Sequence, residues 1–263
     1  MKYKLLALDL DGTILDMQLN LDPRDVEAVA RIAGAGVTVI PCTGRPYAGA
    51  VPWVERLGLA GPIVCYQGAE VRTLAGDVLL DHGVPHNLAM EVIRYARARD
   101  LHVQAYRDDE LIIERDRPEA HRYADHAGME LHVVGDLDQG MGSTTPKLVI
   151  VARPETLEEI LPEVRRRWAG KLNAATSTSD YLEFTSIESD KASALRFLCD
   201  RFGIRREEVV AVGDGRNDAS MIAWAGLGVA VEGSPAEVIA AADSTIPRPG
   251  HGGIPQLAEA LLS

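Results

Sequence analysis

Leu5-Leu6-Ala7-Leu8-Asp9-Leu10-Asp11-Gly12-Thr13 decides how this chain is read. The apolar run Leu5–Leu8 predicts a short buried β-strand. Two carboxylates, Asp9 and Asp11, then stand where the strand ends and the backbone turns. Gly12 permits the turn, because it adopts backbone angles that a residue with a Cβ resists. In an open α/β sheet the ligand crevice lies at the carboxyl ends of the strands. A central first strand would therefore put Asp9 and Asp11 in the crevice. Carboxylates so placed can act as a nucleophile that accepts a phosphoryl group (Asp9) and as a general acid and base (Asp11). A solvated Asp-Gly turn gives the same local pattern. A calcium loop fits less well, since its glycine belongs at the sixth position and a helix should enter it.

The remaining pattern extends the parallel sheet. Asp22 is placed to cap a helix over 23–33, where Val26, Val29, Ala30 and Ala33 recur at helical spacing. Val37–Pro41 predicts a second strand that runs into Cys42-Thr43-Gly44-Arg45-Pro46, with Pro46 suited to the first position of a helix. Thr43 and Gly44 thus stand at a strand end beside a helix N-terminus, a place that favours anions. Ile63–Tyr66 predicts a third strand of the parallel sheet.

A different pattern occupies the middle. A hairpin around Gly76 precedes a helix over 87–98. Strands follow near 103–106 and 111–114, then a helix near 119–127. Further strands are expected near 131–134 and 148–152, a helix over 155–168, and an antiparallel pair at 172–176 and 181–184. Gly135–Gly142 reads as a loop. Alternation resumes with helices at 191–202, 217–223, 235–242 and 254–262 and strands at 209–212, 228–231 and 244–246. The expected fold is α/β: a Rossmann-like, doubly wound parallel core built from 1–82 and 187–263, with an inserted α+β domain at 83–186.

Gly213-Asp214-Gly215-Arg216-Asn217-Asp218 is a second acidic turn between a strand and a helix. A polar turn with a helix cap is the plain reading. Parallel strands bring their ends to one edge, however, so Asp214 can stand beside Asp9 with Asp218 behind it. Carboxylates facing a phosphate repel without cations, and hard oxygen donors with phosphate point to Mg²⁺. Lys191, at the start of a helix where its charge opposes the dipole, is the other candidate cation; the alternative is a solvated surface lysine.

Composition narrows the partners. The 263 residues are 46% hydrophobic and 25% charged, and the formal net charge of −12 argues against nucleic acid. The apolar run after Met1-Lys2-Tyr3-Lys4 stops at Asp9, too soon for a signal peptide, and no stretch approaches membrane-spanning length. Cys42, Cys65 and Cys199 are scattered, which suits packing in a reducing cytosol. No base lies near Cys42 in sequence to make it a nucleophile.

The ordered set Asp9-Leu10-Asp11-Gly12-Thr13, Thr43-Gly44-Arg45, Lys191 and Gly213–Asp218 resembles the haloacid dehalogenase superfamily. The position of the insert and the tract Gly226–Ser234 through Ala241-Ala242-Asp243 resemble its Cof-type sugar-phosphatase branch with a large α/β cap. That resemblance implies Asp9 as nucleophile and Asp11 as general acid and base. It implies phosphoryl binding by Thr43, Gly44, Arg45, Lys191 and Asn217. It also implies Mg²⁺ held by Asp9, the Asp11 carbonyl and Asp214, with Asp218 as ligand or support. The implied activity is hydrolysis of a small phosphorylated metabolite, a sugar phosphate or sugar-acid phosphate, through an aspartyl-phosphate. A phosphomutase of the same fold and a catalytically idle phospho-ligand sensor are the alternatives. Asp11 sets the chain apart from dehalogenases, which lack it, and from P-type ATPases, which carry another residue there. Gln67-Gly68 stands where the branch often has Asn-Gly, and Arg248-Pro249-Gly250-His251-Gly252-Gly253 where Asp-Gly is usual. His251 is expected to be structural or solvated, and His121 and His126 show no ligand spacing. Arg107, Asp108, Asp109, Lys147 and the Thr176–Asp180 loop are either substrate contacts or solvated cap surface.

Overall fold

The fold is described from a computed structural model covering residues 2–263, apart from the side chains of His126, Ala127, Ser177 and Thr178. Met1, His126 and the centre of the Thr176–Asp180 segment therefore lie outside the described residues. In chain order the first part comprises β1 (Leu5–Leu8), α1 (Pro23–Gly34), β2 (Thr38–Pro41), α2 (Tyr47–Arg56), β3 (Ile63–Cys65), β4 (Glu70–Arg72) and β5 (Val78–Asp81). Next come β6 (Val84–Pro85), α3 (His86–Arg97), β7 (His102–Arg107), β8 (Glu110–Ile113), α4 (Pro118–Ala127), β9 (Leu131–Val133) and α5 (Leu137–Gly140). They are followed by β10 (Thr144–Thr145), β11 (Leu148–Val151), α6 (Pro154–Arg167), β12 (Leu172–Thr178) and β13 (Tyr181–Ser186). The last part holds α7 (Lys191–Phe202), β14 (Val209–Gly213), α8 (Ala219–Trp224), β15 (Leu227–Val231), α9 (Ala236–Ala241), β16 (Ser244–Ile246) and α10 (Gly253–Leu262).

The chain divides into two compact units, Met1–Leu80 with Asp190–Ser263, and Asp81–Ser189. In the first, a five-stranded sheet runs β16-β15-β14-β1-β2, parallel throughout, as expected. β1 lies between β14 and β2, with Leu5 opposite both Val209 and Thr38. Leu5 and Ala7 face a core that includes Leu195 and Leu198 of α7 and Met221 of α8. Leu6 and Leu8 are equally buried on the other face. α1 begins under an Asp22 cap whose side chain accepts from the Arg24 N–H, and it packs against α10.

β3 departs from expectation in its ladder. It runs parallel to β2 as expected but meets it only at the bridge Cys42–Val64, and its ladder is antiparallel, with β4, in a three-stranded sheet β3-β4-β5. Pro41 is one reason. Thr38 and Cys42 donate to the β1 side and Thr43 donates to Val64, so the alternation turns Pro41 toward β3. Proline has no N–H to give that ladder. Pro46, expected at the first helical position, instead takes the cap position of α2 with ψ 157°.

The second unit is α+β, as expected. Its sheet runs β12-β13-β11-β7-β8-β9 and is antiparallel except between β8 and β9. α3 and α6 supply its core, where Trp168 meets Tyr95 and Phe184 edge to face. The expected loop at 135–142 contains the short helix α5, started by Asp136, whose side chain accepts from the Asp138 N–H. Four residues are too few to show helical spacing. The pairing of β6 with β10 is similarly too short to read. Among the described residues no helix is long and apolar enough to cross a membrane.

Candidate active site

The turn after β1 is tight. Thr13, Ile14 and Leu15 all donate to the Leu10 carbonyl, and Gly12 adopts φ +81°. A Cβ on Gly12 would lie 2.3 Å from Asp214 Oδ2, so glycine permits both the turn and the approach of the second acidic loop. That loop follows β14, the neighbour of β1, which is why two stretches 200 residues apart meet. Thr13 Oγ1 donates to Asp214 Oδ1 at 3.1 Å. The helix expected over 217–223 starts as a 3₁₀ turn at Arg216–Asp218 before α8. Asp218 Oδ2 ties down the loop by accepting from the N–H groups of Asp214 (3.1 Å) and Gly215 (2.8 Å).

Lys191 is the first residue of α7 and is completely buried. Its Nζ lies 2.6 Å from Asp9 Oδ1 and 2.5 Å from Asp218 Oδ1. The solvated-lysine alternative is therefore excluded. Gly68, at φ +96°, admits the start of α7: a Cβ there would lie 2.2 Å from the Asp190 carbonyl oxygen. Asp190 caps the helix through the N–H groups of Ala192 and Ser193.

Oxygens of Asp9, Asp214 and Asp218 lie within 4.8 Å of one another. Burial pushes the Asp9 carboxyl well above its usual range; Asp218 adds to that push and Lys191 opposes it. Burial and Asp218 likewise raise Asp214. Burial alone would lower the Lys191 ammonium, but Asp218 and Asp9 outweigh it, and Lys191 stays charged. Three carboxylates against one ammonium leave this cluster short of positive charge. Hard oxygen donors in that deficit fit a divalent cation such as Mg²⁺.

Asp9, Asp11, Gly44, Arg45, Asp214, Gly215, Asn217 and Asp218 border a cavity of about 290 Å³. Asp11 is exposed and Arg45 reaches it with a bidentate pair. A Cβ on Gly44 would lie 3.3 Å from Gln67 Cγ and 3.7 Å from Asn217 Nδ2, so Gly44 lets these side chains converge. Thr43 is fully buried, and its hydroxyl accepts from the Arg45 N–H at 3.1 Å. Sequence reasoning did not anticipate the Arg45–Asp11 pair or the Thr13–Asp214 bond, since neither long-range contact leaves a local pattern.

Other candidates have structural accounts. Burial pushes the Cys42 thiol up, which makes it a poor nucleophile. Asp108 and Asp109, at φ 51° and 68°, form the two-residue turn between β7 and β8. Arg107 donates to the Gly140 carbonyl at 2.8 Å, and buried Lys147 pairs with Glu183 at 3.3 Å. His121 pairs with Asp116 on the surface. His251 is exposed and borders a separate groove that Asp214 also lines.

Known proteins resemble this chain in sequence and fold. The haloacid dehalogenase-like hydrolase family matches residues 6–257. An HMP-PP phosphatase of Serratia proteamaculans is 28% identical over 227 residues, covering 86% of this chain and 83% of that protein. A 5-amino-6-(5-phospho-D-ribitylamino)uracil phosphatase of Bacillus subtilis is 27% identical over 250 residues, covering 88% and 87%. A haloacid dehalogenase-like hydrolase from Bacteroides thetaiotaomicron superposes with a TM-score of 0.89 at 30% identity, over 99% of this chain and 100% of that one. With this match spanning both units, the chain belongs to the haloacid dehalogenase-like hydrolases and is an enzyme of their phosphatase kind.

Proposed function

We propose that this enzyme is a Mg²⁺-dependent phosphomonoesterase that hydrolyses a small phosphorylated metabolite through an aspartyl-phosphate on Asp9. The observation that carries the reading is the buried Lys191 ammonium bridging Asp9 and Asp218, with Asp214 alongside. Lys191 orients Asp9 by one oxygen and leaves the other free to attack phosphorus. Asp11 gives a proton to the departing alkoxide, and then accepts one from the water that cleaves the aspartyl-phosphate. Gly44, Arg45 and Asn217 border the cavity where the phosphoryl oxygens would lie, next to Thr43. Bound Mg²⁺ would offset the charge shared by nucleophile and phosphoryl group. Asp9 and Asp214, with the Asp11 carbonyl, would hold it. Asp218 supports them, because its oxygens are already taken by Lys191 and two backbone N–H groups.

Residues 83–186 form the inserted cap in this reading. Three free, buried cysteines suit a reducing cytosol. Sugar phosphates and sugar-acid phosphates are the first substrates to test, together with the phosphoesters for which the two relatives are named. The test is a phosphate-release screen with Mg²⁺, after chelation, and after Mg²⁺ is restored. Steady release that stops on chelation and returns with Mg²⁺ is expected. Full turnover after exhaustive chelation overturns the metal assignment. Release only in traces, with a bisphosphate-activated isomerisation, identifies a mutase; binding without turnover identifies a sensor.

A further inference from the structure

Beside the Asp9 cavity lies a larger groove of about 370 Å³ in the same unit, and Asp214 lines both. It is lined by the turn at 16–18, the loop at 248–251 and Val231–Pro235. The turn and the 248–251 loop are both held in place. Asp16 accepts from the N–H groups of Gln18 and Asn20 and from the Asn20 amide, which leaves Met17 at the tip, 86% exposed. Arg24 donates to the Gly250 carbonyl at 2.7 Å, and the Gly250 N–H donates to Asp25. Arg248 is anchored by its Nε, which donates to the Glu232 carbonyl at 2.9 Å. Its guanidinium lies over Gly233, where a Cβ would stand 2.3 Å from Nη2. Such a fixed lining lowers the ordering cost of binding.

We propose that this groove receives a planar ring carried by the substrate's leaving group, and that Arg248 and Met17 set that preference. The proposal rests on the phosphatase reading of the Asp9 cavity. An anionic substituent fits poorly, since Asp16 and Glu232 outweigh the Arg248 charge even with Asp214 engaged by the proposed metal. A neutral ring fits better. Met17, Val231, Pro235 and Pro249 supply apolar surface, the guanidinium plane stacks on an aromatic face, and a thioether packs against a ring.

Benzyl phosphate and cyclohexylmethyl phosphate test this, because they share the phosphomethyl group and differ in whether the ring is flat. The readout is the ratio of their kcat/KM values, with acetyl phosphate as a ringless substrate. The wild-type enzyme should prefer benzyl phosphate by about fivefold, through KM, as one partly exposed cation–π contact provides. Arg248→Ala should bring the ratio close to one. Met17→Ser, at an exposed tip, should lower it as well and serves as the second variant if Arg248→Ala does not fold. A wild-type ratio near one, or a preference that survives the substitution, overturns the groove assignment while acetyl phosphate hydrolysis leaves the phosphatase reading intact. Failure to hydrolyse any of the three overturns both.

Discussion

Arg45 holds Asp11 by both oxygens, Nε to Oδ2 at 2.7 Å and Nη2 to Oδ1 at 2.5 Å. A guanidinium fork fits a phosphate as well as a carboxylate. The pair therefore links the residue proposed as proton donor to a residue proposed to bind phosphate. On the proposed reading, an incoming dianion would compete with Asp11 for the fork and release it.

Arg45→Ala should consequently weaken phosphate binding. A hydrogen bond to a charged group is worth about 1.5–3 kcal/mol, so competitive inhibition by inorganic phosphate should weaken by roughly tenfold or more. An unchanged inhibition constant with reduced kcat would instead confine Arg45 to orienting Asp11.

The two tasks of Asp11 can be separated by the leaving group. A sugar phosphate expels an alkoxide that needs a proton, whereas nitrophenyl phosphate expels a stable anion that does not. Asp11→Ala should lose about 10²–10⁴-fold on sugar phosphates, the usual worth of general acid–base catalysis. On nitrophenyl phosphate it should release a burst near one nitrophenol per site and then turn over slowly. Asp9→Ala should give no burst. Wild-type turnover of both substrates by Asp11→Ala would remove Asp11 from the chemistry, and a normal burst from Asp9→Ala would place the nucleophile elsewhere.

Lys191 carries a structural load as well. Removing one partner from a buried charge cluster leaves the others uncompensated, at a cost of about 3–5 kcal/mol. Lys191→Met should lower stability toward urea by that order, because Asp9 and Asp218 lose their shared ammonium. Adding Asp218→Asn should recover part of the loss, since one buried negative charge goes with it. A single variant as stable as the wild type would show that the cluster does not depend on the lysine charge.

Regular alternation made the core legible. β1, β14 and β15, with the helices between them, emerge from apolar runs bounded by Gly, Asp and Pro, and the alternation itself places the short edge strand β16. A parallel sheet gathers their ends, so the meeting of Asp9, Asp214 and Asp218 could be inferred from strand order. Lys191 was legible for a different reason: a cation at a helix start has no local purpose. What stayed hidden depended on pairing partners. Ile63–Cys65 reads as a strand in either sheet, and the missing Pro41 N–H, on the side that faces β3, helps cut its ladder with β2 short. α5 and the β6–β10 pair are too short for a period to appear. The Arg45–Asp11 contact requires a side-chain direction that spacing does not encode.

Asp25 ties stability to pH. It lies in α1, is 1% exposed, and its Oδ2 has no partner. Burial pushes its carboxyl up to about 6 and the Asp22 charge adds to the shift, while the Gly250 N–H and Arg24 oppose it. In the folded chain it therefore holds a proton that the unfolded chain has already lost near pH 4. Its favourable contribution is complete below that pH and disappears as pH rises through about 6. Asp25→Asn keeps the shape without the charge. At pH 4 it should match the wild type, and by pH 8 it should be more stable by about 1–2 kcal/mol, less than the full shift implies because the carboxylate lies just beneath the surface. Urea unfolding of both proteins from pH 4 to pH 8 measures the difference. Curves that stay parallel across the range would show that the Asp25 charge is solvated in the folded protein.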